Sequence, residues 1–308
     1  MELWLALCFI PSLLWAITNV FDQHVTRKFF PGKPIAMQVA LGTGALAIGI
    51  PVLAWCLVTQ TFALSPQSIA TFIGLGFFFY VSIIFYLKAL HIDEARVVVP
   101  LFQLVPVFVF IFEWVLVGNL ITDKQILAGL IIIAAAIGIT YDFHAFRIKW
   151  KTLWFMTLTC AGVALFATGS KHLPQAQEIH WLPLTASVNI GCGLYGICAF
   201  CFLTKIRKEF CETIKTHKLI ATLGTVFLGI TITGSLGMLS YQKILTIAPA
   251  ASLPQVSIGG LQSLYVFLAS AVMAFFSPKT VSPIHLDWHL AWQLSCVLVI
   301  IGGLYLLA

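Results

Sequence analysis

Tyr86 to Gly118, YLKALHIDEARVVVPLFQLVPVFVFIFEWVLVG, is the stretch whose pattern decides the fold of this chain. An apolar block ends on a lysine, a short charged turn follows, and a second apolar block, broken by Pro100 and Pro106, runs to a glycine. A rough copy begins at Tyr241: YQKILTIAPAASLPQVSIGGLQSLYVFLASAV. At an offset of 155 residues, Tyr86, Lys88, Leu90, Ile92 and Ala95 recur as Tyr241, Lys243, Leu245, Ile247 and Ala250. Ile137, Gly138 and Tyr141 recur at an offset of 164 as Ile301, Gly302 and Tyr305. The extra length falls in the connection around Ser277 to His289. The chain reads as a duplication, and a repeat constrains the architecture before any local pattern does.

Outward from that stretch the composition is uniform. Charged residues make up 9% and hydrophobic residues 60% of the 308, with a mean hydropathy of +1.00. A soluble domain carries roughly 25% charged residues. The apolar residues come in blocks of about 18 to 25, the length of helix that crosses a hydrocarbon core of roughly 30 Å. Backbone groups in lipid must be satisfied internally, so the blocks are helices and the chain is an all-α integral membrane protein. Ten spans are predicted, at residues 2–21, 35–59, 67–90, 95–117, 125–143, 150–172, 180–204, 218–243, 249–276 and 287–307. The longest polar insert is Thr204 to Lys218. The eight cysteines lie mostly inside apolar blocks and read as small buried hydrophobes. Cys198 and Cys201 have CxxC spacing, but further ligands would have to converge on them to hold a metal, so no metal and no cofactor are expected.

Lys and Arg are segregated by loop. The connections after spans 1, 3, 5, 7 and 9 hold 3, 2, 3, 5 and 1 of them, against Lys124, Lys171 and Lys243 on the opposite side. The positive-inside rule then predicts both termini outside the cytoplasm, in a multi-pass protein of the cell membrane. The net charge of +6 is therefore a topology signal, and a nucleic-acid role, which needs a basic face on a folded module, is excluded. The expected partners are the lipid bilayer and a small-molecule substrate.

Five spans per copy is an odd number, so the second copy enters the membrane from the other side. Two inverted five-helix repeats, residues 1–145 and 146–308, are the expected domains. Inverted repeats of this kind underlie many secondary transporters, with the substrate site near the midplane between the halves.

Several residues in order also carry a family resemblance. They are Leu14-Trp15-Ala16 with Asn19 in the first span, Tyr86-x-Lys88-Ala89-Leu90 leading to Pro100 and Pro106, Gly118 before a polar turn, and Gly129 with Gly138. The second half repeats the pattern from Tyr241. The chain resembles the EamA-type permeases of the drug/metabolite transporter superfamily. The resemblance implies ten helices around a central cavity, moving small metabolites or toxic compounds by alternating access. Asn119 stands where the family often has Glu, and the charge pattern sets the termini opposite to those of many relatives.

Polar groups inside apolar spans are costly and mark cavities or partners. Asn19, Asp22 and Gln23 share one helical face. Asp22 reads either as a proton or cation site or as a hydrated group at the span's end, the plainer reading so near the boundary. Asn19, one turn deeper, is the better substrate contact. Gln103, Gln255 and Gln262 are amides in apolar helices that either bond between helices or line the cavity. Together with Trp15, Asn19, Tyr86 and Tyr241 they form the candidate substrate site. Lys88 and Lys243, with Asp22 and Glu113, are the candidates for ion coupling, although both lysines can simply snorkel to an interface. Glu113 either carries a coupled proton or reaches that interface. Pro100, Pro106 and Pro254 free backbone carbonyls and are candidate hinges. The glycines at 191, 193 and 196 read as a packing face first. His285 and His289 are spaced to hold a metal on a helix, yet in a loop they read as hydrated surface.

No GxxxxGK[ST] segment is present, so the energy of transport would come from an ion gradient or solute exchange. Two alternatives compete with a proton-coupled or exchanging permease. One is an intramembrane lipid-modifying enzyme, which needs clustered acids, histidines or metal ligands. The other is a non-transporting membrane component.

Overall fold

The computed structural model of the protein describes residues 3–60, 65–118, 122–142, 147–173, 179–217, 219–248, 252–276 and 288–307. They are almost entirely helical. After a helical turn at Leu3–Leu7 come α1 (Phe9–Lys28), α2 (Pro34–Thr59), α3 (Pro66–Ile92), α4 (Ala95–Leu116) and α5 (Asp123–Ile139). The second half holds α6 (Trp150–His172), α7 (Trp181–Phe202), α8 (Thr222–Ile247), α9 (Ser252–Phe276) and α10 (Trp288–Leu307). A two-residue antiparallel ladder, Tyr141–Asp142 against Arg147–Ile148, closes the turn between α5 and α6.

Among the described residues six helices are long and apolar enough to cross a membrane: α2, α3, α4, α6, α7 and α8. α5 and α10 contain shorter apolar stretches, Ile126–Ile139 and Ala291–Gly303. Large apolar side chains such as Val58, Phe78, Leu228 and Leu298 face outward, as helices in contact with lipid require. Trp150 and Trp288, both exposed, open their helices where an interfacial aromatic belt would sit.

Proline and glycine set the boundaries. Pro34 and Pro66 stand in the first turns of α2 and α3, where a missing N–H costs nothing. Gly118, at φ +83°, ends α4 in the left-handed conformation that glycine adopts without strain. Two helices change gauge. α4 tightens to a 3-10 turn at Val99–Gln103, around Pro100, and widens to a π turn at Glu113–Val117. α8 carries a π segment at Val226–Ile232.

The packing is dense where backbones approach. α7 lies against both α2 and α3, and a Cβ on Gly191 would strike the carbonyl of Ile73. Gly42 meets Gly196 across the α2–α7 contact, so the predicted packing face of α7 is the one used. α1 packs on α8 and α9, α6 on α3 and α4, and α5 on α10.

Ion pairs tie turns together at one end of the bundle. Arg27 and Arg96 flank Glu94 at 3.8 and 2.7 Å, Lys149 meets Asp93, and Lys33 reaches Glu212 at 3.7 Å. Thr152 also donates to Asp93. The turns after α1, α3 and α5 and the amphipathic helix Thr204–His217 therefore share this end, which is also where the basic residues collect.

Candidate functional site

A cavity of about 230 Å³ lies at the centre of the bundle, walled by α1, α2, α3, α4, α6, α7, α8 and α9. α1 supplies Trp15, Thr18, Asn19 and Asp22, whose spacing puts all four on one helical face. α3 supplies Phe79, Tyr80, Ile83 and Tyr86 at the same periodicity. Phe102 and Val105 come from α4, Val163 and Phe166 from α6, and Asn189 and Cys192 from α7. α8 adds Thr231, Gly234, Ser235, Met238 and Tyr241, and α9 adds Gly259 and Gln262. The π segment of α8 reaches this wall at Ile230 and Thr231 and the 3-10 turn of α4 at Phe102, so both irregular turns border the cavity.

The polar groups of the wall are partly engaged. The Tyr86 hydroxyl donates to Asn19 Oδ1 at 2.8 Å and lies 3.2 Å from Asp22 Oδ2. Thr18 and Thr233 share a hydrogen bond of 2.8 Å, and Ser235 donates to Asn189 Oδ1 at 3.4 Å. Three buried atoms of the wall have no hydrogen-bond partner: Asn19 Nδ2, Asp22 Oδ1 and Thr231 Oγ1. Buried polar atoms normally find partners, so these three are open to hydrogen-bond a guest or water in the cavity. Aromatic contacts shape the rest: Trp15 against Tyr241 at 5.5 Å, Tyr86 against Phe102 at 5.3 Å and Phe79 against Phe166 at 4.7 Å.

The structure thus brings together Trp15, Asn19, Asp22, Tyr86, Tyr241 and Gln262 around one space. Gln103 sits behind the wall instead. It is 1% exposed, donates to Ser263 Oγ at 3.1 Å and fills the notch at Gly259, tying α4 to α9. Pro100 lies in the 3-10 turn, Pro106 inside the regular helix Leu104–Phe112, and Pro254 in the first turn of α9, where it displaces no helical hydrogen bond.

The remaining candidates are elsewhere. Glu113 is buried and accepts from or donates to His172 Nε2 at 2.9 Å, joining the ends of α4 and α6. Lys88 lies over the rings of Phe85 and Phe155, and Lys243 lies 5.7 Å from the Trp181 ring. Beside it, burial and the Lys243 ammonium hold the His180 imidazole below its usual pKa. The neutral ring accepts the Leu182 N–H at the start of α7. The side chains of Gln255 and His289, and all of Asn119 and His285, lie outside the described residues. Among the described residues no three His, Cys, Asp or Glu side chains cluster as metal ligands.

Thr18, Asn189, Thr231 and Ser235 were missed as wall residues. For Thr18 a signal existed, since it stands on the same α1 stripe as Trp15 and Asp22. Lys171 was also missed: its ammonium donates to the carbonyls of Leu245 and Ala248 at 2.7 and 2.8 Å, capping the end of α8.

Six apolar helices of spanning length, packed around a partly polar central cavity, have the make-up of a multi-pass membrane protein. Residues 2–141 match the EamA-like transporter family, which bears out the family resemblance carried by Trp15, Asn19 and the Tyr86 segment. No curated relative matches the sequence. One solved structure, titled only as the crystal structure of a protein, is similar over 99% of this chain and 96% of its own. Its TM-score is 0.54 at 16% identity, a likeness of fold alone.

Proposed function

We propose that the protein is a secondary transporter that carries small organic metabolites or toxic compounds by alternating access. Residues 1–145 and 146–308 are its two inverted five-helix halves, all ten helices cross the cell membrane, and both termini lie outside the cytoplasm. The cavity that both halves wall, with the repeated tyrosines Tyr86 and Tyr241 upon it, is the observation that carries this reading.

Two further features support it. The helix contacts are preserved when each helix of one half is exchanged for its counterpart in the other. α1 on α8 becomes α6 on α3, α1 on α9 becomes α6 on α4, and α2 on α7, α4 on α9 and α5 on α10 map onto themselves. Each half also has a side chain near the end of its first helix that bonds backbone further along, with opposite donor and acceptor roles. In the first half the Gln23 side-chain oxygen Oε1 accepts the Ala95 N–H at 2.7 Å, tying α1 to the start of α4. In the second, Lys171 ties the end of α6 to the turn after α8. Two like halves facing opposite ways can exchange conformations and so expose one site to each side in turn.

Flux in proteoliposomes tests the proposal. A panel of amines, amino acids, organic acids and neutral solutes is offered with and without an imposed pH gradient. Saturable uptake of at least one class, accelerated by the gradient or by counter-solute, is expected. No flux across the panel, with turnover of a lipid by the detergent-solubilised protein, would replace transport with enzymatic chemistry.

A further inference from the structure

The cavity wall carries one carboxyl group with no basic side chain beside it among the described residues. Asp22 is 5% exposed, its Oδ2 lies by the Tyr86 hydroxyl, and its Oδ1 has no hydrogen-bond partner. Among the described residues, no Lys, Arg or His lines the wall. Arg27, further along α1, is engaged with Glu94 at the end of the bundle. The titratable groups that face the cavity besides Asp22 are weak acids: Tyr80 and Tyr86 from α3, Cys192 from α7 and Tyr241 from α8. An ionised carboxylate so placed is strongly unfavourable unless a cation joins it. A proton on the carboxyl or a cationic guest beside it answers that need equally.

The rest of the wall favours the guest. Trp15, Phe79, Phe102, Phe166 and Tyr241 surround the space, and aromatic rings attract ammonium groups. An anionic guest would meet the carboxylate with no basic residue to hold it. A zwitterion would leave its own carboxylate equally unanswered. Asn19 Nδ2 and Thr231 Oγ1 remain as hydrogen-bonding groups for a hydroxyl or carbonyl on the same molecule.

We infer that the cavity binds a small organic cation, a protonated or quaternary amine, with the Asp22 carboxylate as its counter-ion. The inference deepens the transport reading and rests on it for its purpose. When a cation enters the protonated site, the carboxyl O–H bond breaks, the proton leaves to solvent on the open side, and the carboxylate pairs with the guest. One positive charge enters and one leaves.

Calorimetric titration of the purified full-length protein in detergent tests this with three shape-matched probes: phenethylammonium, neutral phenethyl alcohol and anionic 3-phenylpropanoate. The cation is expected to bind at least about tenfold more tightly than the alcohol, by charge pairing and ring contact together. The anion is expected not to bind. Asp22→Asn should weaken the cation by roughly a hundredfold, and Asp22→Glu should retain it. The wild-type protein alone supplies a second measurement, should the asparagine variant fold poorly. Its affinity for the cation should fall as pH drops from about 8 to about 4, with protons released on binding at the acid end. Equal binding of cation and alcohol, or an affinity that ignores pH across that range, overturns the inference. Flux of neutral or anionic solutes without cation binding also overturns it and leaves transport standing. Cation binding without flux upholds the site and removes the transport reading.

Discussion

Asn19 and Gln103 are both buried amides in apolar helices, yet their surroundings assign them different work. The Asn19 oxygen accepts from Tyr86 while its nitrogen stays unpaired on the cavity wall. Gln103 bonds Ser263 behind that wall. Asn19→Ala is therefore expected to lower transport efficiency by about tenfold, the cost of one buried hydrogen bond to the solute, with insertion unchanged. Gln103→Ala is expected to act on stability, by about 1 to 2 kcal/mol, and to leave flux per folded molecule near wild type. Flux assays normalised to folded protein, with thermal melts beside them, separate the two. Equal loss of flux in both would place Gln103 in the path of the solute. At this scale part of the α1 face was legible in the sequence, because Asn19 and Asp22 stand one turn apart, although Gln23, read on the same face, bonds Ala95 instead. The α8 contribution was not: Thr231 reaches the wall from a π segment that no periodicity announces, and the regular helix that carries Ser235 follows it.

Between helices, the contacts rest on residues without side chains. Gly191 of α7 faces the carbonyl of Ile73 on α3, and added atoms there can only push one backbone from another. Gly191→Leu is expected to lose well over 1 kcal/mol by overpacking, with a lower melting temperature and less monodisperse protein. Gly224, by contrast, has nothing within 4 Å of its would-be Cβ. Gly224→Ala should be neutral or gain up to about 1 kcal/mol from helix propensity. Melting both variants in detergent checks the pair, and a harmless Gly191→Leu would deny the close approach of α7 to α3. Notches of this kind explain why the glycines of α7 could be read as a packing face in advance. Their partners on α2 and α3 could not be named, because a small-residue stripe specifies closeness and not with whom.

For the molecule in its membrane, the proposed orientation rests on charge. The turns that hold most of the Lys and Arg gather at one end of the bundle, joined by the Arg27–Glu94, Asp93–Lys149 and Lys33–Glu212 pairs. A reporter fused after Ala308 is expected to read as extracytoplasmic; a cytoplasmic signal would reverse the proposed topology. The sequence by itself determined the class of protein and the approximate extent of the helices described here. Apolar length set against bilayer thickness is a property of one dimension, and hydropathy measures it directly. Only the tertiary structure decided which faces turn inward. It put Asn189, Thr231 and Phe102 on the cavity, moved Gln103 behind it, and set Glu113, Lys88 and Lys243 at other places in the bundle. The physical reason is that lipid and protein interior are equally apolar. A helix hydrophobic all round carries no mark of which side meets the solute until its neighbours are in place.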